Sequence, residues 1–173
     1  MPMTGLYVHI PFCSSRCVYC AFFSTTLLEQ RQHYVDALCR EMRLHPGFTH
    51  FDTIYLGGGT PSQLSICQLH QLFDAIRDTF DVAGDAEVTM ECNPDDVTAP
   101  FAAALAALPV NRVSLGVQTF SDERLRFLRR RHSAAQVAEA VDRLRHAGIG
   151  NISIDLMYGF PGETLQQWHA DIG

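Results

Sequence analysis

Short apolar runs alternate with longer amphipathic stretches along the chain. Residues 6–10, 53–56, 86–91, 112–116 and 151–156 have the length and character of strands. Residues 29–44, 65–80, 98–108, 122–127 and 134–147 carry apolar side chains at helical spacing, and a sixth helix opens at residue 163. Gly or Pro marks the connections at 57–61, 93–96, 148–150 and 159–162. The repeated strand–helix order predicts an α/β fold with a parallel sheet and right-handed crossovers. In such folds chemistry gathers at the carboxyl ends of the strands. The unusual residues of this chain fall there. Cys13 follows the first strand, a glycine run follows the second, Glu91 closes the third, Gln118 follows the fourth and Asp155 lies near the end of the fifth. No fixed-period repeat, low-complexity tract or domain linker breaks the order. Five strands and a helix just begun read as a piece of a longer fold, and its last strand would be an unprotected edge.

The composition narrows the class. A chain of 173 residues with 47% hydrophobic residues fits one globular domain. A net charge of -6 argues against a nucleic-acid binder. All 13 basic residues are Arg, which with the Ala-rich stretches reads as genome composition rather than function. Neither a signal-peptide pattern nor a run long enough to span a membrane is present, so the expected compartment is the cytoplasm, and any membrane contact would be peripheral. There, clustered cysteines point to metal or catalysis rather than disulfides.

Such a cluster stands at Cys13, Cys17 and Cys20, spaced C-x3-C-x2-C. Cubane iron–sulfur clusters commonly take four thiolates. Three on one loop can hold three irons and leave the fourth open to an exogenous ligand, as three protein ligands do in catalytic zinc sites. Zinc, or three unrelated core cysteines, is the competing reading; His9 is awkward as a fourth zinc ligand because it sits within the first strand. Cys39, Cys67 and Cys92 read as buried structural cysteines. The glycines of "GGGTP" read either as a tight turn or as a place where a ligand meets backbone. Glu91 in an apolar strand needs a partner, and an Arg is the bland choice. Gln118 can donate and accept. The arginines between Arg124 and Arg131 read mostly as a solvated helix face. Tyr7 and His9 alternate along the first strand and so share a side.

"CSSRCVYC", with "YVHIPFC" before it and "LGGGTPS" after it, resembles the radical S-adenosylmethionine superfamily, in its coproporphyrinogen III oxidase-like branch. The resemblance covers essentially the whole chain. It implies an open six-strand barrel of which this chain supplies the N-terminal part, residues 1–173, lacking the end of the barrel and a porphyrin-facing domain. It also implies a [4Fe-4S] cluster on Cys13, Cys17 and Cys20, with S-adenosylmethionine chelating the open iron. Cofactor contacts are carried over to Tyr7, Gly58, Gly59, Thr60, Glu91, Gln118, Arg130 and Asp155. Relatives often read L-G-R-x-H where this chain has Leu128–Arg129–Arg130–Arg131–His132, so Arg129 replaces a glycine.

The branch holds decarboxylating oxidases and heme chaperones. The oxidases carry a further Cys two residues after the triplet, where this chain has Phe22, and an extension before the first strand. Both differences favour the chaperone, which binds the cluster, S-adenosylmethionine and heme and passes heme to apo-proteins. The alternative is an oxygen-independent coproporphyrinogen III oxidase, which needs an electron donor and decarboxylates propionates through a 5'-deoxyadenosyl radical. No single His stands out as a heme ligand.

Overall fold

The computed structural model describes residues 4–45 and 50–173. Five strands, β1 (Gly5–Ile10), β2 (His50–Gly58), β3 (Asp81–Cys92), β4 (Arg112–Gln118) and β5 (Asn151–Leu156), form one sheet in the order β1-β2-β3-β4-β5. Every neighbouring pair is parallel. Sequence order equals spatial order, so each crossover steps one strand sideways in the same direction. Right-handed crossovers then put the helices on one face. These are α1 (Arg31–Arg43), α2 (Ile66–Thr79), α3 (Ala99–Leu105), α4 (Asp122–Phe127), α5 (Ala134–His146) and α6 (Leu165–Ile172). This is an open, singly wound part of a barrel.

The two faces of the sheet differ in chemistry because strand side chains alternate. Val8, Ile10, Ile54, Leu56, Val88, Met90, Val113 and Leu115 are buried toward the helices. The helices answer with apolar residues at helical spacing: Val35, Cys39 and Met42 in α1, Leu69, Leu72, Phe73 and Ile76 in α2, Val137, Ala140 and Leu144 in α5. Each such fully buried aliphatic side chain contributes about 1.5–3 kcal/mol. The other face is polar and aromatic. In register across it lie Tyr7, Tyr55, Thr89 and Arg112, then His9, Gly57, Glu91 and Ser114 one row nearer the carboxyl ends. Tyr7 and His9 do share this face.

Boundaries moved where a local signal was stronger than periodicity. Ser65, Thr98, Ser121 and Thr164 cap α2, α3, α4 and α6 with side-chain oxygens. Thr164 and Gln167 form a capping box, so α6 starts after Glu163, not at it. Residues 28–30 are a 3-10 turn ahead of α1, and α3 stops at Leu105 rather than 108. β3 begins five residues before the predicted 86, because a register shift against β2 takes up the extra length. β4 runs on to Gln118.

Helices α4 and α5 end alike. In α5, Ile149 N donates to Leu144 O (2.9 Å) and Gly148 N to Arg145 O (3.0 Å), with Gly148 at φ +94°. In α4, Arg130 N donates to Leu125 O (2.9 Å) and Arg129 N to Arg126 O (3.0 Å), with Arg129 at φ +58°. Both are Schellman caps, whose left-handed position usually falls to glycine. In α4 an arginine occupies it.

Candidate metal and cofactor site

The cysteines sit on a loop pinned at its base. Cys13 N donates to Thr25 O (2.9 Å) and Thr25 N to Pro11 O (2.7 Å), while Phe12 is buried beneath. Cys20 N closes a tight turn on Cys17 O (3.3 Å), and Val18 N reaches Leu128 O (3.4 Å) at the end of α4. Cys13 and Cys17 are half-buried and Cys20 is exposed. Burial pushes the Cys13 thiol above its ordinary value, against an opposing hydrogen bond from Thr60. All three line a cavity of about 610 Å3 over the carboxyl ends of the strands, a size that suits a cofactor.

Of the residues expected to hold the cluster or S-adenosylmethionine, only Tyr7 stands off this cavity. Its hydroxyl meets His9 Nδ1 (3.2 Å), and its ring stacks on Tyr55 at 6.1 Å. His9 is also held by Phe23 O (3.0 Å). Gly58 lies at φ +112°, and a Cβ there would come within 2.5 Å of the His9 ring. A Cβ on Gly59 would come within 2.7 Å of the Pro11 carbonyl carbon. Both glycines are therefore required by the close approach of β1, and they also leave the cavity floor as bare backbone.

Glu91 has no Arg. Tyr55 Oη donates to its Oε1 (2.7 Å) and Gly58 N to its Oε2 (3.0 Å). Burial still raises its pKa above the usual carboxylate value. Tyr55 escaped the sequence reading, although it lies two residues before Gly57 on the same face of β2. Ser114 Oγ meets both oxygens of Asp155 (3.2 and 3.3 Å). Gln118 stands at φ +72°, where the pairing of β4 with β5 slips, and its carbonyl accepts from Met157 N (2.8 Å).

Arg130 reaches furthest. It donates through Nη1 to Cys17 Sγ (3.6 Å) and through Nη2 to Asn93 Oδ1 (2.7 Å) and to Gly116 O. Its Nε is buried with no hydrogen-bond partner. Asn93 was not singled out from the sequence, yet it follows Glu91 by two and lines the cavity.

Three other expectations change. The arginines after Phe127 lie beyond α4, and two of the group besides Arg130 are engaged rather than solvated. Arg124 pairs with Glu163 (2.7 Å) and Asp171 (3.5 Å), and Arg131 with Asp95 and Asp96 (both 2.8 Å). Cys67 is exposed on α2, while Cys39 and Cys92 are buried. Burial pushes the Cys92 thiol far up.

The residues fit a carboxylate-bearing cofactor beside three free thiols. The unpartnered Arg130 Nε and the bare backbone of Gly58 and Gly59 suit a carboxylate-bearing ligand lying against the floor. Among the described residues, no three His, Cys, Asp or Glu side chains are gathered for a single ion. A cubane makes a different demand, three thiolates on three separate irons.

Residues 7–172 match the radical SAM superfamily, and the chain belongs to it. Within that class the relatives are specific. The chain is 42% identical over 167 residues to the heme chaperone HemW of Lactococcus lactis, covering 96% of this chain and 44% of that protein. It is 41% identical over 175 residues to HemW of Bacillus subtilis, covering 98% and 46%. Among solved structures, coproporphyrinogen III oxidase HemN of Escherichia coli, described as a radical SAM enzyme, superposes with a TM-score of 0.89 at 31% identity. That match covers 97% of this chain and 40% of the oxidase. The chain spans less than half the length of these relatives. No helix among the described residues is long and apolar enough to cross a membrane.

Proposed function

We propose that this chain is the cluster- and S-adenosylmethionine-binding part of a heme chaperone, a protein that holds heme and hands it to apo-proteins. The observation that carries the reading is the convergence of Cys13, Cys17 and Cys20 with Arg130, Glu91 and Asp155 on one cavity. The similarity to two HemW chaperones directs it toward heme. Cys13, Cys17 and Cys20 would hold the cluster. When bound, the pair supplies one-electron cleavage of the sulfonium.

The chain's own groups divide the remaining work. Arg130 offers its free Nε to a carboxylate, and its Nη1 donates to Cys17. Glu91, braced by Tyr55 and Gly58 N, presents a fixed carboxylate edge to the cavity. Asp155 and Gln118 are polar groups suited to hydroxyls or a charged amine. The reducing cytoplasm is the compartment that keeps three such thiols free. Phe22 lies on the cavity wall, at the position where the sequence resemblance implies a further Cys in the oxidases.

The test uses the full-length protein, reconstituted anaerobically with iron and sulfide. Coproporphyrinogen III, S-adenosylmethionine and a reductant are added and the porphyrin is followed by mass, with heme titrated in parallel. Heme binding and transfer without decarboxylation is expected. Loss of two carboxyl groups would make the protein an oxidase.

A further inference from the structure

Asn93 occupies the N-cap position of the 3-10 turn Pro94–Asp96, yet its side chain makes no capping bond. Asparagine is among the preferred N-caps because its side-chain oxygen can take up a free backbone N–H. Here the amide turns away. Its Oδ1 accepts from Arg130 Nη2 (2.7 Å), and its Nδ2 donates to Thr60 Oγ1 (3.4 Å). Thr60 Oγ1 in turn lies 3.5 Å from Cys13 Sγ, and Arg130 Nη1 lies 3.6 Å from Cys17 Sγ. Two cysteines are thereby joined by one continuous belt, Cys13–Thr60–Asn93–Arg130–Cys17, drawn from four separate parts of the chain.

The direction of each bond follows from chemistry. A cluster-ligating cysteine is a thiolate with no proton to give. Thr60 must therefore donate to Cys13, and Arg130, which can only donate, gives to Cys17. Asn93 makes this consistent. Its N–H fills a lone pair of Thr60, which leaves the hydroxyl proton for the sulfur, and its carbonyl fixes the plane of the guanidinium. Only a group with a donor and an acceptor on one short rigid plane can do both.

Hydrogen bonds to cluster sulfurs are among the means by which a protein sets a cluster's potential. Donors favour the reduced form, which carries more negative charge. We propose that Asn93 is a positioning residue that raises the reduction potential of the cluster by aiming Thr60 and Arg130 at Cys13 and Cys17. The inference rests on the reading that these cysteines hold a cluster.

The test uses the full-length protein reconstituted with iron and sulfide, without S-adenosylmethionine. Each cluster takes up one electron from dithionite, and the midpoint is read by electron paramagnetic resonance. Asn93→Ala is expected to lower the reduced fraction at a fixed potential about tenfold, a fall of about 59 mV for a one-electron couple. Thr60→Val should also lower it. The double variant should lower it by less than the sum, because Asn93 acts partly through Thr60. An unchanged midpoint in Asn93→Ala with full iron content overturns the proposal. If Asn93→Ala takes up no cluster, Asn93→Ser is read instead. Failure of both to load would give Asn93 a merely structural role and also overturn it. A parent protein that takes up no cluster would overturn the cluster reading itself.

Discussion

The two Schellman caps offer a matched experiment on one backbone conformation. Arg129 and Gly148 hold the same position at the ends of α4 and α5, at φ +58° and +94°. A residue with a Cβ in that region costs about 1–3 kcal/mol. Glycine avoids the cost but loses more chain entropy on folding, which returns about 0.4–1 kcal/mol. The space around Gly148 is open, with nothing within 4 Å of a built Cβ, so only the backbone term is at stake there. Arg129 is exposed, so truncating it to Ala changes little else. Glycine should therefore be preferred over alanine at both positions by about 1 kcal/mol. Arg129→Ala is expected near zero, Arg129→Gly stabilising by up to about 1 kcal/mol, and Gly148→Ala destabilising by a similar amount. Urea unfolding followed by the fluorescence of Trp168 measures all three, with equal slopes as the check that only stability changed. A glycine preference at 148 without one at 129 would refute the reasoning, since it would mean Arg129 does not need the left-handed turn. Because Arg130 is the next residue, the same turn decides where its guanidinium goes.

Cys13→Ala, Cys17→Ala or Cys20→Ala should each abolish the visible absorption of reconstituted protein, while Cys67→Ala on the exposed side of α2 should leave the spectrum unchanged. Gly58→Ala would drive a Cβ to 2.5 Å from the His9 ring at an unfavourable φ, and should cost about 2 kcal/mol or more in chemical denaturation. His132 is buried with its Nε2 against Val117 O (3.1 Å), and burial, followed by the charge of Arg130, lowers its pKa to about 4. The unfolded chain then binds the extra proton first, so stability should fall as pH drops from about 6.5 toward 4, by on the order of 3 kcal/mol in full. In His132→Gln that slope should disappear from the pH dependence of the urea midpoint.

The sequence made the architecture legible because both periodicities were clean. The strand at 151–156 and the helix at 122–127 were placed at their observed ends. Elsewhere, hydroxyl caps and the slip between β2 and β3 moved the boundaries, and neither is visible in hydrophobicity. The site was legible as far as strand ends could show it. Its hydrogen-bonding partners were not. Tyr55 and Asn93 are ordinary residues in sequence, and their meaning comes from register, which carries Tyr55 toward Glu91 and Asn93 toward Thr60. Arg124 looked solvated because its partners Glu163 and Asp171 lie about 40 residues or more further along the chain.

The bond from Arg130 to Cys17 crosses 113 positions of sequence. A ribosome adding about 5–20 residues per second needs roughly 6–23 s to cover that distance. For that interval the cysteine loop has emerged from the ribosome and the arginine has not. Cys17 then stands without the guanidinium that later donates to it, on a loop after β1 whose partner strands are still arriving. Metal loaded early meets a half-built pocket, and metal loaded late meets one already lined by Arg130. The order of the motifs along the gene thus makes the timing of cluster insertion part of how this fold is completed.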